Sequence, residues 1–322
     1  MSVNRDKPNR WKKDIAHSVD MYNNWFMRFA PKAFRETRIR TTEHVVMALK
    51  ITKNLTSISA TVLKLHPEIL PTLRMSTCPP IAVDRLIGLS GVSPTLVRKM
   101  EKEKALPSRM ERKELMDGLR KIGQIIMRMA DVDIFVWLRR KNKKPTKEEL
   151  YRASTVVADR LCGAVANPII RNAQEQRQLA VISTWLKSQG YKHLDEVEAN
   201  GSDFRNMPKG TFGFRINVPV NLGDGVRQVN VPVDAVVIPL RGRHKFPIFI
   251  EAKSAGDFTN VNKRRKEEAA KIQQLKQTYG KDVSFNLFLC GYFDSGYLGY
   301  EAAEGIDWVW EHRIDDLRKL GL

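Results

Sequence analysis

The chain has 322 residues, of which 55 are lysine or arginine and 36 are aspartate or glutamate, so its formal net charge at pH 7 is +19. This charge favours nucleic acid over an anionic membrane as the partner, because the sequence has no apolar run of spanning length and no isolated basic amphipathic helix. The three cysteines lie far apart and outside any Cys-x-x-Cys spacing, which excludes a zinc ribbon and a disulfide framework.

Length and the first residues indicate the general class of protein. A chain of 322 residues can bury a full hydrophobic core, and its length predicts two domains. The opening segment MSVNRDKP lacks the apolar core of a signal peptide. Together with the unpaired cysteines, this predicts a protein of the reducing cytoplasm that has no membrane partner.

The first part of the chain predicts a helical domain. Large apolar residues recur there at spacings of three and four, namely Trp11, Ile15, Val19, Tyr22 and Phe26. The basic, proline-ended segment 139–146 predicts a boundary or an exposed loop. We therefore expect a mainly helical domain at 1–147, for DNA recognition or dimerisation, and an α+β domain at 148–322.

One segment of the helical part has the outline of a helix-turn-helix. Residues 81–90 predict a short helix, Gly91 predicts a turn, and Ser93-Pro94 predicts the start of a second helix. If the segment reads DNA, Arg98 and Lys99 on the second helix would enter the major groove. Two packed structural helices are the preferred interpretation, because short helix pairs with a glycine turn are common in helical domains.

A helix and a strand are predicted to precede the functional strands. Residues 148–166 and 168–189 predict two helices, and residues 211–220 predict a strand that ends in a glycine-rich turn. Glu175 lies four residues before Leu179, the first residue of an apolar stripe, so we expect its side chain on the buried face. An unpaired carboxylate is costly there, so the alternative is a buried glutamate that pairs with an arginine.

The clearest functional signal is Asp234 followed by Glu251-Ala252-Lys253. Residues 229–239 and 246–253 predict two strands, and a hairpin would bring Asp234 level with Glu251 and Lys253, which project from one side. Two close carboxylates repel unless a divalent cation lies between them, and oxygen ligands suit Mg²⁺. A lysine beside the cation can orient or deprotonate the water that attacks a phosphodiester. The alternative is a surface hairpin whose charges pair in solvent.

Basic residues open the next predicted helix, one short loop beyond Lys253. The candidates for DNA contact on this helix are Lys263, Arg264, Arg265 and Lys266, together with Gln273 and Gln274. The alternative is a solvated charged face with local Glu–Lys pairs. Residues 283–290 and 306–310 predict two further strands, the first of them apolar enough to be covered on both faces.

The order of helix, three-stranded meander and helix, with Asp234, Glu251 and Lys253, resembles the core of the PD-(D/E)XK nuclease superfamily. The resemblance implies an α/β/α nuclease core with a mixed central sheet and an accessory acid on the first helix, here Glu175. The chain departs from the superfamily pattern in one respect, since Val233 separates Pro232 from Asp234.

Segments along nearly the whole chain resemble a narrower family, the XamI-like type II restriction endonucleases. They are KPNRWK at 7–12, YNNWF at 22–26, LPTLRM at 70–75, CPP at 78–80, DRLCG at 159–163, RNAQEQR at 171–177, EAK at 251–253, NKRRK at 262–266 and EGIDW at 304–308. The resemblance implies Mg²⁺-dependent cleavage of unmodified double-stranded DNA at a short palindrome of the GTCGAC type. Palindromic readout also requires a two-fold related pair of chains, a homodimer.

The expected mechanism places one or two Mg²⁺ ions on Asp234, Glu251 and the Ala252 carbonyl, with no other small-molecule cofactor. Three alternatives stay open. A DNA-repair or junction-resolving nuclease would share the core, and a non-catalytic DNA-binding protein would share the basic charge. An RNA-directed nuclease is disfavoured because the sequence has no aromatic platform for single strands.

Overall fold

The computed structural model describes residues 2–194, 204–221, 227–240, 246–258 and 261–322, with the backbone alone for 261–264. Its contacts divide the chain into two compact units. One unit consists of residues 30–169, and the other combines residues 1–29 with residues 170–322. Among the described residues, no helix is long and apolar enough to cross a membrane.

The secondary structure of the described residues is mainly helical with one sheet. The α-helices are α1 (Pro8–Ile51), α2 (Ala60–Leu65), α3 (Leu70–Met75), α4 (Val83–Ser90), α5 (Pro94–Lys102), α6 (Arg112–Arg128), α7 (Lys147–Ser188), α8 (Val261–Tyr279) and α9 (Ser295–Ala303). The strands are β1 (Lys192–His193), β2 (Thr211–Asn221), β3 (Gln228–Val237), β4 (Ile248–Ala255), β5 (Ser284–Gly291) and β6 (Asp307–Trp310). Short 3₁₀ segments lie at Pro67–Ile69, Val136–Arg139, Phe204–Asn206 and Glu311–Leu320.

The unit of residues 30–169 is a helical bundle with its own apolar core, to which α3, α4, α5, α6 and the first half of α7 contribute. The predicted helix pair is present as α4 and α5. Gly91 ends α4 in the left-handed region, at φ 61°, where glycine is favoured. Arg98 of α5 pairs with Asp84 of α4 at 3.2 Å, and Lys99 pairs with Glu103 at 3.3 Å. These pairs fit a packed structural pair, and DNA contact by either cation stays a prediction.

A buried ion pair ties α3 to α5 within this unit. The Arg74 guanidinium donates through Nε and Nη2 to the two carboxylate oxygens of Glu101, at 2.6 and 2.9 Å. The two side chains are 8% and 11% exposed. Arg74 also donates to the Ile81 carbonyl. A two-pronged pair of this kind fixes geometry, and breaking it leaves a charge without compensation.

We expect Glu101→Ala to lower the free energy of unfolding of the helical unit by about 3 kcal/mol, because the Arg74 guanidinium would stay buried without its counter-ion. Urea unfolding of the full chain, followed by circular dichroism, measures this loss. Glu103→Ala is the matched control, since the Glu103 side chain is 57% exposed and its pair with Lys99 should contribute well under about 1 kcal/mol. Equal losses in the two variants would contradict the assignment.

The other unit is built on a six-stranded mixed sheet in the order β1-β2-β3-β4-β5-β6. β1 runs parallel to β2, the strands β2, β3 and β4 form an antiparallel meander, and β4, β5 and β6 run parallel. In the parallel part, β5 is a nearly continuous apolar run, because both faces of this strand are covered. The predicted α+β fold with a mixed sheet and a helical N-terminal region is confirmed.

Helices and connecting segments cover both faces of this sheet. One face packs against Ile272 and Leu275 of α8, against α9, and against Trp11 and Ile15 of α1. The other face packs against Ile182, Trp185 and Leu186 of α7. The unit therefore has the three-layered α/β/α arrangement, and the acid and lysine residues of β3 and β4 lie in its middle layer.

A change of face interrupts the β2–β3 pair at Arg215. Phe212 and Phe214 pack on the α7 face, whereas Ile216 packs on the α8 face, although residues at even positions of a regular strand share one side. Arg215 has φ 53°, a left-handed conformation that is costly for a residue with a Cβ atom. The regular register on either side would pair it with Asp234. The interruption therefore lies directly beside a predicted catalytic residue.

Two sequence-based boundaries differ from the structure. The predicted helices 148–166 and 168–189 are one helix, α7, which continues through Pro168. A proline removes one hydrogen bond but need not end a helix whose two halves are both packed. The compact units divide inside α1 and α7, at 29/30 and 169/170, and not at the expected 147/148. Residues 1–29 join the sheet unit because Val3, Trp11 and Ile15 pack in its cores.

Candidate active site

Asp234 and Glu251 face each other where β3 and β4 separate. The antiparallel pairs run from Val237↔Ile248 to Ala235↔Ile250, and the next opposed positions are Asp234 and Glu251. The backbone N–H of Ala252 donates to Oδ2 of Asp234 at 2.8 Å instead of continuing the ladder. The expected hairpin is therefore present, and the two carboxylates lie at the splayed end of a strand pair.

Glu251 is 5% exposed, and its two carboxylate oxygens have different surroundings. Oε1 accepts hydrogen bonds from Lys253 Nζ and from Lys271 Nζ, each at 2.8 Å. Oε2 is buried and has no hydrogen-bond partner among the described residues. A buried carboxylate oxygen without a partner is costly, so this atom is suited to receive a ligand.

Asp234 is a carboxyl group whose proton affinity depends on its neighbours. Burial and the adjacent Glu251 carboxylate raise the pKa of Asp234 to about 6, while Lys253 and the Ala252 N–H act in the opposite direction. Burial contributes most to this shift, and repulsion between the two acids adds to it. A cation placed between them would remove that repulsion.

Lys253 stays charged within the site. Burial lowers the pKa of the Lys253 ammonium, but the carboxylates of Glu251, Glu268 and Asp234 raise it, and the net result is a raised pKa. The backbone at Lys253 is also fixed, because the buried Gln178 of α7 donates from Nε2 to the Lys253 carbonyl at 3.3 Å and to the Phe288 carbonyl at 3.2 Å. Lys253 is therefore a cation whose position is fixed by Glu251.

A polar cleft of about 240 Å³ opens on this end of the sheet. Its lining includes Glu175, Asp234, Ala252 and Lys253, while Glu251 lies behind Lys253. The expected burial of Glu175 is wrong, since its side chain is 37% exposed and pairs with Arg215 at 2.8 Å. The buried positions of that turn of α7 are Gln174 and Gln178, together with Leu179. The role of Glu175 as an accessory acid stays a prediction.

The residues present suit a divalent cation, but they supply few of the ligands that such a cation needs. Asp234 and Glu251 supply two close carboxylates, and Oε2 of Glu251 is a buried oxygen without a partner. Among the described residues, no group of three or more His, Cys, Asp or Glu side chains could hold a metal ion. The acidic ligand set is thus a pair, and the remaining ligands of a hard cation would be carbonyl, water or phosphate oxygens.

The structure locates only part of the predicted DNA-contacting set. Lys263 and Arg264 belong to the first turn of α8, but their side chains lie outside the described part of the structure. The Arg265 guanidinium lies 3.6 Å from the centre of the Tyr300 ring, a cation–π contact. Lys266 and Gln273 are exposed, and Gln274 is half-buried. Contact of these residues with DNA stays a prediction.

Comparison with known proteins identifies the family of the chain. The family model described as XamI restriction endonuclease matches residues 53–310. The chain belongs to the XamI restriction endonuclease family. It is 54% identical over 321 residues to the type II restriction enzyme SalI of Streptomyces albus G, with 99% of each chain covered. A crystal structure of protein VC1899 from Vibrio cholerae shares 13% identity at a TM-score of 0.28, over 80% of this chain and 55% of that chain, too weak a likeness to support any argument.

This XamI-family protein has a second acidic layer behind Lys253. Glu268 of α8 accepts a hydrogen bond from the Tyr297 hydroxyl at 2.7 Å, and burial raises the pKa of Glu268. Glu301 of α9 is fully buried, and burial followed by the Glu268 carboxylate raises the pKa of Glu301 to about 9. Glu301 therefore holds a proton at neutral pH and can donate a hydrogen bond to Glu268. The two acids together then carry a single negative charge near Lys253.

The protonated Glu301 predicts a pH-dependent stability. In the unfolded chain Glu301 loses its proton above about pH 4.5. In the folded chain, where its pKa is raised, Glu301 keeps this proton up to about pH 9. The free energy of unfolding then falls by up to about 1.4 kcal/mol per pH unit across this window. Glu301→Gln removes the ionisable group, so its melting temperature should exceed that of the wild type increasingly between pH 5.5 and pH 8.5.

Calorimetric melting curves at several pH values measure the difference between the two proteins. The exposed Asp282, in the same unit, supplies the control, since Asp282→Asn should give a difference that does not change with pH. A constant offset between Glu301→Gln and the wild type would show that Glu301 is already ionised in the folded protein.

Sequence reasoning missed two residues of this family member's site. Gln178 was passed over in favour of Glu175, although a long polar side chain one residue before the apolar Leu179 can lie against the sheet. Lys271 lies apart from the four cations that open α8, which are the stronger local signal. Its spacing was a usable signal, since it lies four residues before the buried Leu275 and thus on the packed face.

Proposed function

We propose that this chain is a type II restriction endonuclease that hydrolyses double-stranded DNA at a short palindromic site with Mg²⁺ as cofactor. The observation that carries the proposal is the convergence of Asp234, Glu251 and Lys253 at the splayed end of β3 and β4. Family membership and the net charge of +19 support the same substrate. The expected location in the cell is the cytoplasm.

Asp234 and Glu251, together with the Ala252 carbonyl, are the proposed ligands of the cation. When bound, the cation supplies Lewis-acid polarisation of the scissile phosphate. Lys253, held at Glu251 and charged, orients the attacking water by hydrogen bonding and stabilises the charge that develops on the phosphate oxygens. In-line displacement leaves a 5′-phosphate and a 3′-hydroxyl. Glu175 is proposed as an accessory acid, which Arg215 holds at the edge of the cleft.

Recognition is assigned to basic surfaces on both units. Lys263, Arg264, Arg265, Lys266 and Gln273 of α8, and Arg98 and Lys99 of α5, are the proposed DNA contacts. A palindromic site requires each half-site to meet the same surface, so the active species is a homodimer related by two-fold symmetry. The proposed site is of the GTCGAC type.

Digestion of unmethylated phage DNA tests the proposal, with Mg²⁺ in one reaction and EDTA in the other. Discrete fragments that appear only with Mg²⁺, with 5′-phosphate ends that map to one hexanucleotide, are the expected result. Fragment ends that map to a hexanucleotide other than GTCGAC would correct the proposed recognition sequence and leave the proposed enzyme class in place. A smear would indicate a non-specific or repair nuclease, and intact but shifted DNA in both reactions would indicate a binding protein.

A further inference from the structure

Lys271 is a half-buried cation in the active site to which the proposed mechanism assigns no role. Its Nζ atom lies 2.8 Å from Oε1 of Glu251 and 2.7 Å from the carbonyl oxygen of Pro232, and the side chain is 16% exposed. The Pro232 carbonyl holds the Lys271 ammonium beside β3, two residues before Asp234. Lys271 is thus an oriented group that two different strands fix.

Two cations share one carboxylate oxygen of Glu251. Lys253 and Lys271 both donate to Oε1, while Oε2 has no partner among the described residues. Lys253 already provides Glu251 with a charged hydrogen bond, so the second ammonium is not needed to satisfy that oxygen. Its contribution is a second positive charge.

The charges of the site explain why a second cation is useful. Asp234 and Glu251 supply two carboxylates, and Lys253 and Lys271 supply two ammonium groups, so the four groups can balance without any metal. A divalent cation added to this set leaves two surplus positive charges. The single negative charge of the Glu268–Glu301 pair near Lys253 can offset one of them, and the phosphates of bound DNA would offset the rest.

We propose that Lys271 is a positioning residue that acts as the resident counter-ion of Glu251 and competes with the divalent cation for that carboxylate in the DNA-free enzyme. The inference rests on the proposed metal site at Asp234 and Glu251. It makes cation binding weak in free protein, so that tight binding of the cation depends on the phosphates of bound DNA. A lysine that only supports the fold would have the opposite effect, because its loss would let Glu251 move and would weaken cation binding.

Titration of the DNA-free protein with Mn²⁺, followed by the electron paramagnetic resonance signal of free Mn²⁺, tests the proposal. We expect Lys271→Met to bind Mn²⁺ about tenfold more tightly than the wild type, because removing the competing ammonium leaves Glu251 free for the metal. Lys271→Gln should behave in the same way, and Lys271→Arg should resemble the wild type. Lys276→Met, on the same helix but placed at the Glu304 carbonyl, should change nothing.

Asp234→Asn separates failure of this inference from failure of the metal site. If Asp234→Asn weakens Mn²⁺ binding while neither neutral variant of Lys271 tightens it, Lys271 is not a competing counter-ion and the inference is overturned alone. If Asp234→Asn leaves Mn²⁺ binding unchanged, the metal lies elsewhere, and both the proposed site and the inference are wrong. Should Lys271→Met not fold, Lys271→Gln decides between the same outcomes.

Discussion

Lys253→Ala is expected to cleave DNA about a thousandfold more slowly than the wild type while it still binds its recognition site. The ammonium of Lys253 lies 2.8 Å from the buried Glu251 carboxylate, and neighbouring acids raise its pKa, so it is a fixed positive charge. Its removal takes away the group that orients water and stabilises the charge developing on phosphate. Glu251 keeps Lys271 as a partner, so the fold should tolerate the change.

Single-turnover cleavage in Mg²⁺ measures the rate, and gel-shift titration in Ca²⁺ measures binding to the same duplex. Lys276→Ala is the matched control, because Lys276 lies in the same unit, where its ammonium is 3.5 Å from the Glu304 carbonyl. That variant should cleave at the wild-type rate. Full activity of Lys253→Ala would overturn the role assigned to this residue.

Asp234→Asn should also abolish measurable cleavage at ordinary Mg²⁺ concentrations, with a loss of at least about a thousandfold. The substitution keeps the shape of the side chain and its acceptor oxygen for the Ala252 N–H, but it removes one of two carboxylates that face each other. It also removes a charge that is unfavourable at this position, since burial and then repulsion by Glu251 raise the pKa of Asp234 to about 6. The folded protein should therefore be at least as stable as the wild type and catalytically inactive.

Cleavage rates over a range of Mg²⁺ concentrations, with melting temperatures alongside, measure both effects. Asp282→Asn is the control, since Asp282 is an exposed acid two residues before β5 and should affect neither quantity. A variant Asp234→Asn that cuts normally would remove Asp234 from the ligand set, whatever its stability.

The sequence was sufficient to predict the strands of the site and the meeting of its acids. Residues 229–239 and 246–253 are β-branched and apolar with a turn between them, so a hairpin followed, and its register placed Asp234 opposite Glu251. The Glu-Ala-Lys triplet gained meaning only from that hairpin, because the same spacing at 111–113 lies at the start of α6. Local pattern and short-range pairing therefore determined what could be predicted.

What the sequence could not predict depends on tertiary contacts. The left-handed conformation of Arg215 reverses the faces of β2. Since Arg215 is not a glycine, its residue type does not predict such a conformation. Arg215 pairs with Glu175, whose side chain is 37% exposed where burial was expected. Helix α7 runs through Pro168, and residues 1–29 pack with a sheet that begins about 160 positions later, because long-range packing outweighs local signals.

The most direct test of the acid pair is the location of Mn²⁺ by anomalous scattering in crystals of the protein with its DNA. A peak coordinated by Asp234 and Glu251, beside the scissile phosphate and within reach of Lys253, is the predicted result. An ordered peak at other residues, with Asp234 and Glu251 still bound only to Ala252, Lys253 and Lys271, would contradict the proposed active site.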